Sequence, residues 1–283
     1  MPVTEAELAS LAASHDIISL GMLADEARRA RHGARTTFVR VADVSSEPGA
    51  PSAFPPGAGE IRIVGSPTSR VAAIERVKEV VAQADGVPVS GFSLADLEEL
   101  AGREGVTLRA LLETLCAAGL DLIAEAPFDQ MKDAHRSIEE VNIAGLALAR
   151  LTINRLPAAD APPLLKQIGA LQYAVAVIRA FAPLPRHVNP AVPTTGYEDV
   201  RRVALARLFL GNVPSIQVEW SLYGPKLAQV ALTVGADDVD GVSAADDLSE
   251  GPRRAPLEEI RRNIRAAGLQ PVERNGRFEL LDR

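Results

Sequence analysis

The residues best suited to acid–base chemistry gather in three short strings. SIQVEW (215–220) carries Glu219, GADDVDG (235–241) carries Asp237 and Asp238, and PLPRHVN (183–189) carries Arg186, His187 and Asn189. Carboxylates and an imidazole at the ends of apolar runs could exchange protons with a bound substrate. Alternation along IQVEWS puts Gln217, Glu219 and Ser221 on one face and Val218 and Trp220 on the other. If that face is enclosed, an unpaired carboxylate is costly there. Glu219 therefore calls for a cation such as Arg155 or Arg179, in a ligand pocket or in a structural ion pair. Asp237 and Asp238 could hold a polar substrate group, cap a helix or sit in a buried salt bridge. His187 could be a base, a hydrogen-bonding group or a solvated loop residue.

The binding candidates are Gly65, Ser66, Glu125, Asn154, Arg155, Arg186, Trp220 and Tyr223. GSPTS (65–69) could cradle a phosphate or carboxylate where a helix begins. Histidines 15, 32, 135 and 187 show no ligand spacing with one another or with cysteine, so no metal site is expected. Cys116, the only cysteine, lies within the apolar helical run LRALLETLCAAGLDLI and reads as an inert half-core residue, not a nucleophile.

The elements that must position these groups follow from periodicity and turn residues. Residues 4–33 read as helix, with Thr4 as cap and Gly33 as stop. Strands are expected at 36–44, 60–67, 87–93, 120–127, 150–157, 173–183, 215–224 and 236–243. Helices are expected at 71–84, from Ser93 onward, and at 107–119, 137–149, 161–172, 196–211, 225–235 and 255–268. Asn275-Gly276 marks a hairpin between two short terminal strands. The segment 45–60, SSEPGAPSAFPPGAGE, holds four prolines and must be a loop. The strands are apolar runs, as in a parallel sheet covered on both faces. About eight β/α alternations in a chain of this size predict a TIM-type α/β barrel, with a doubly wound open sheet as the rival. A single domain over 1–283 is expected, with a helical extension at 1–35 and a C-terminal cap at 244–283.

Bulk properties bound the partners. A net charge of −7 argues against a nucleic-acid groove. The runs EARRARHGAR (26–35) and RRAPLEEIRRNIR (253–265) read as solvated helix faces. No apolar stretch approaches the ~20 residues that span a bilayer. The N-terminus lacks the pattern of a signal peptide, and one cysteine excludes an internal disulfide. The expectation is a cytoplasmic protein.

The strings GYEDVRRVALARLFLGNVPSIQVEWSLYGPKLAQVAL, GADDVDG and PLEEIRRNIRAAGLQPVERNGRFELL resemble the radical-SAM enzymes of the futalosine route to menaquinone, above all the aminofutalosine synthases. LADEARRARHGARTTFVR, EIRIVGSP and VPVSGFSLADLEELA extend the resemblance toward the N-terminus. It implies a barrel whose first loop bears CxxxCxxC, three thiolates that hold a [4Fe–4S] cluster for S-adenosylmethionine. Here 45–60 stands in that place without cysteine or histidine. Gly65-Ser66 stands for the family's paired glycine, AEAPFD (124–129) for a glycine-rich turn, and NRLPAAD for the usual ending of the fifth strand. All four departures fall where barrel strands end, the side that holds active sites.

The expectation is a cluster-free relative, a pseudoenzyme without a metal cofactor, for which S-adenosylmethionine is a doubtful ligand. It would bind a nucleoside or aromatic carboxylate, or pair with an active radical-SAM paralogue or with itself, in menaquinone biosynthesis. The alternative is a cluster-independent hydrolase or lyase using Glu219, Asp237, Asp238 and His187.

Overall fold

A computed structural model describes residues 5–52, 54–155, 161–187, 196–246 and 255–282. Eight parallel strands close a barrel: β1 (Arg35–Ser45), β2 (Glu60–Val64), β3 (Val89–Ser93), β4 (Leu122–Pro127), β5 (Ala147–Ile153), β6 (Ile178–Pro185), β7 (Ser215–Glu219) and β8 (Asp238–Ser243). Closure occurs where β1 pairs β8 on one edge and β2 on the other. Helices α1 (Glu5–Ala13) and α2 (Ile17–His32) precede the barrel. The outer layer is α3 (Arg70–Gln83), α4 (Leu94–Glu104), α5 (Leu108–Ala117), α6 (Ala134–Ile143), α7 (Ala161–Val175), α8 (Gly196–Phe209), α9 (Trp220–Thr233) and α10 (Pro256–Ala266). The expected TIM-type barrel is thus the observed one, not an open sheet.

Outward-facing Ile61, Ile63, Leu151, Ile216 and Val239 pack with helix residues such as Leu97, Leu111, Ile138 and Leu232 in one apolar core. Burying each such side chain contributes roughly 1.5–3 kcal/mol.

Several boundaries move for local physical reasons. Helix α7 runs on through Tyr173 to Val175 and stops where Ala176 takes φ 50°, so β6 begins at Ile178 rather than 173. Strand β5 starts at Ala147, because α6 ends by Ala144 and Gly145 turns the chain at φ 79°. Strand β7 stops at Glu219, and Trp220 opens α9. Gly224 kinks that helix at φ 73°, and Pro225 restarts it. The break between α1 and α2 is capped by Asp16, whose carboxylate accepts the Ser19 N–H; the Thr4 cap lies outside the described residues.

The C-terminus forms a ninth strand, β9 (Gln270–Glu273), rather than a free hairpin. It pairs in parallel with the first residues of β1, on the edge that β2 occupies higher up. Asn275-Gly276 does turn the chain, but the return contributes one bridge, Arg274 with Leu280. The described residues of the β1–β2 connection contain no helix. The connection runs from the top of β1 to the bottom of β2 and is tied to α3 by Arg76, which donates to the Ser45 and Ala50 carbonyls and to Ser52 Oγ.

Candidate functional site

The lumen is held by arginines and carboxylates in alternation. Near the floor, Arg274 clamps Asp238 with two bonds of 2.7 Å. Thr37 Oγ1 and Gln217 Nε2 also donate to Asp238. Higher up, Asp240 accepts from Arg62 at 2.8 Å and from Arg150. Arg62 and Arg150 project from β2 and β5, so one carboxylate can meet both only across the lumen. Arg62 also donates to Glu60 at 2.8 Å, and Ser90 Oγ donates to the same oxygen at 2.6 Å.

At the mouth, Arg186 lies between two carboxylates, 3.1 Å from Glu125 and 2.7 Å from Glu219. Arg150 Nε stands 3.6 Å from Glu125, so the mouth pair joins the buried layer below. Ser221 Oγ donates to Glu219 at 3.1 Å. A Cβ on Gly241, at φ 70°, would stand 2.8 Å from Ser221 Oγ and 3.3 Å from Glu219 Cγ, so only glycine admits this approach. Asp43 on β1 opens to solvent beside this group, with its register partner Arg62 next to it.

The environment fixes the charges. Burial alone would raise the Asp240 pKa, but Arg62 and then Arg150 outweigh it and hold the carboxyl far below the usual range. Burial works against the charge on Arg62, yet Asp240 and Glu60 hold its pKa well above normal. Asp43, though open to solvent on one side, is pushed above the usual carboxylate value, chiefly by partial desolvation, with Arg62 opposing only in part. Tyr223, which donates to the Pro185 carbonyl, has its phenol pKa raised mainly by burial and stays protonated.

The sequence candidates separate. Glu219, Glu125 and Arg186 come together, and the cation beside Glu219 is Arg186 rather than Arg155 or Arg179. Arg179 points outward, and Arg155 is exposed. Asp237 and Asp238 lie at the opposite end of the barrel from the mouth. Asp237 faces outward from the barrel, bound by Arg207 of α8, Ser215 Oγ and the Ile216 N–H, with His32 Nε2 3.6 Å away. Both aspartates thus form buried ion pairs. The His187 side chain is exposed, and Asn189 lies outside the described residues.

The Asn154 and Arg155 N–H groups both donate to Asp129, which fixes the turn after β5. Trp220 is half-buried against the core at the start of α9. Gly65 takes φ 98°, and Ser66 Oγ donates to Asp96. The phosphate cradle expected there is already filled. Ser69 accepts the Ala72 N–H, and Glu104 accepts the Arg70 N–H at 2.8 Å. A groove of about 1270 Å³ between α4, α5 and α6, lined by Glu98, Arg109, Lys132 and Arg136 among others, contains none of the strand-end candidates.

Asp43, Glu60, Arg62 and Arg150 were missed in the sequence. Their signal is a charge inside otherwise apolar strands: VADVS, EIRIV and ALARLTI.

Residues 184–283 match the family model described as the CofH/MqnC C-terminal region. The C-terminal third of the chain is thus similar to that family's C-terminal region. It is 42% identical over 94 residues to the aminodeoxyfutalosine synthase of Streptomyces coelicolor, spanning 31% of this chain and 24% of that relative. With the cyclic dehypoxanthine futalosine synthase of the same organism it shares 27% identity over 218 residues, 68% of this chain and 55% of the relative. These matches span about a quarter and about half of the relatives' lengths. A methylornithine synthase structure superposes with TM-score 0.70 over 96% of this chain and 94% of the other at 13% identity, which shows a shared barrel fold.

A cluster of the kind the resemblance implies needs three thiolates. The lumen and mouth offer carboxylates and guanidiniums, while Cys116, the sole thiol of this sequence, sits on α5 in the outer layer. The residues present do not fit that group. Among the described residues no set of three or more His, Cys, Asp and Glu is arranged to hold a metal ion, and no helix is long and apolar enough to cross a membrane.

Proposed function

We propose that this chain is a cluster-free relative of the aminofutalosine synthases that binds a small polar ligand at its barrel mouth, without radical chemistry, in menaquinone biosynthesis. The observation that carries this reading is the triad Glu125–Arg186–Glu219. It lies at the mouth, at the ends of β4, β6 and β7, where Glu125 falls in the segment 124–129 that replaces the family's glycine-rich turn, and it is built entirely of hydrogen-bonding groups. Arg186 is held from both sides, so the mouth is organised before any ligand arrives, which lowers the entropy cost of binding. A nucleoside or an aromatic carboxylate is the ligand class that the relatives suggest, and a three-cysteine paralogue is the candidate protein partner.

Anaerobic reconstitution with iron and sulfide should yield no absorbance band near ~400 nm. A thermal-shift series with S-adenosylmethionine, adenosine and 4-hydroxybenzoate should give a saturable rise for at least one compound, and Arg186→Met should change the concentration at which it saturates. A brown protein with about four irons would end the cluster-free reading.

A second reading, a cluster-independent hydrolase or lyase, is favoured by one feature. Glu125 and Glu219 flank a single guanidinium, a pairing that could set one carboxyl as acid and the other as base. Glu219→Gln would then abolish turnover while leaving ligand binding in place.

A further inference from the structure

Among the described residues, the charges that meet in the lumen do not balance. Arg62, Arg150 and Arg186 face Glu60, Asp240, Glu125 and Glu219, so three guanidiniums meet four carboxylates. Asp43 adds a fifth carboxylate, with neither an ion pair nor a hydrogen bond among the described residues, exposed beside this group. The group is therefore two negative charges in excess. No Lys, Arg or His side chain among the described residues forms a salt bridge with Asp43.

An independent observation points to a missing donor in the same place. Thr152 is fully buried, and its Oγ1 has no hydrogen-bond partner among the described residues. Two residues beyond Arg150 on β5, it shares the lumenal face and lies on the mouth side of the Arg150–Asp240 pair. Its register partner on β6 is Ala182, which leaves the hydroxyl unscreened. Buried hydroxyls without partners are rare, and each asks for a water or a ligand group. These carboxylates are not arranged as a metal-ligand set. The complement to an excess of acceptors is then a positively charged nitrogen with N–H groups to donate.

Resting on the ligand-binding reading above, we propose that the mouth selects a ligand bearing a protonated amine, received by Asp43, Glu125 and Glu219 and hydrogen-bonded to Thr152. Anionic ligands, aromatic carboxylates included, are disfavoured by the same charges.

Isothermal titration with putrescine, adenosine and 4-hydroxybenzoate as probes, with magnesium chloride as control, tests this. Putrescine should bind most tightly, and binding should weaken when salt rises from about 0.05 to about 0.5 M, as screening shortens. Asp43→Asn should weaken putrescine about tenfold or more. This variant keeps every native hydrogen bond and should fold. Thr152→Val should weaken putrescine without restoring benzoate binding. Adenosine or 4-hydroxybenzoate binding more tightly than putrescine, with Asp43→Asn neutral, overturns the amine assignment and leaves the binding reading standing. Binding by magnesium alone overturns the assignment as well. No saturable binding by any probe overturns both readings.

Discussion

Arg150 and Asp240 join across the lumen although their strands, β5 and β8, stand three apart around the barrel. Both side chains are almost fully buried, and Asp240 also holds Arg62. One carboxylate therefore bridges two guanidiniums, with Glu60 and Glu125 supplying the remaining opposite charge.

Removing that carboxylate should be severe. Asp240→Ala leaves two buried cations facing each other, and the loss of one partner of a buried pair costs about 3–5 kcal/mol. Urea denaturation should show a lower midpoint with an unchanged slope. Adding Arg150→Met to Asp240→Ala should recover part of the loss, because one of the stranded charges is then gone. A double variant no more stable than the single one would show that Arg150 is not under strain in the single variant.

Asp240 and Asp43 should pull acid stability in opposite directions. The folded pKa of Asp240 lies below its unfolded value, so its stabilisation is complete above ~3.9 and fades as the pH falls from there toward the folded value. The folded pKa of Asp43 lies above its unfolded value. Its ionised form therefore destabilises the fold at neutral pH, and this cost disappears as the pH falls through the folded pKa to about 3.9. Asp43→Asn should accordingly melt higher than the parent at pH 7, with the difference closing toward pH 4. Parallel melting curves across that range would show that Asp43 is not desolvated.

The β1–β2 connection should depend on one side chain. Arg76 is fully buried in contact with it, and Glu79 accepts the Gly49 N–H at 2.9 Å. Arg76→Ala removes three charge-assisted bonds to the loop, each contributing about 1.5–3 kcal/mol at most. Hydrogen exchange should accelerate in peptides covering 46–59, while β4 and β5 keep their protection. Uniform acceleration would mean that the loop and barrel open as one unit.

The barrel was legible because eight apolar strands alternate with helices at short intervals, and β2 through β8 follow that rhythm. The end of β7 was less legible. IQVEWS alternates like a strand, yet the chain turns into helix at Trp220, where tertiary packing overrides local pattern. Glu219 was legible as a carboxylate that needs a cation. Arg186 as that cation was not, since it depends on how β6 and β7 sit side by side. A buried salt bridge was one of the roles legible for Asp237 and Asp238, but their partners were hidden for the same reason. Adjacent residues on a strand face opposite sides, so one meets Arg207 outside the barrel and the other meets Arg274 inside. Arg274 lies 36 residues beyond its partner, and only the placement of β9 beneath the barrel brings it there.

That placement makes the C-terminal segment part of the barrel floor. Arg274 offers Asp238 a planar fork, carries Phe278 over its guanidinium at 3.8 Å, and donates to the Asn275 carbonyl. Glu273 beside it pairs with Arg40 at 2.9 Å, and the Gly276 N–H donates to Gly59. Lysine could keep the charge but not the two-pronged bond. Arg274→Lys should therefore cost a large part of what Arg274→Ala costs, the latter about 3–5 kcal/mol because Asp238 is left buried with only neutral donors. Both should be read by urea denaturation of the full chain. A lysine variant as stable as the parent would show that charge alone, without the fork geometry, holds the floor closed.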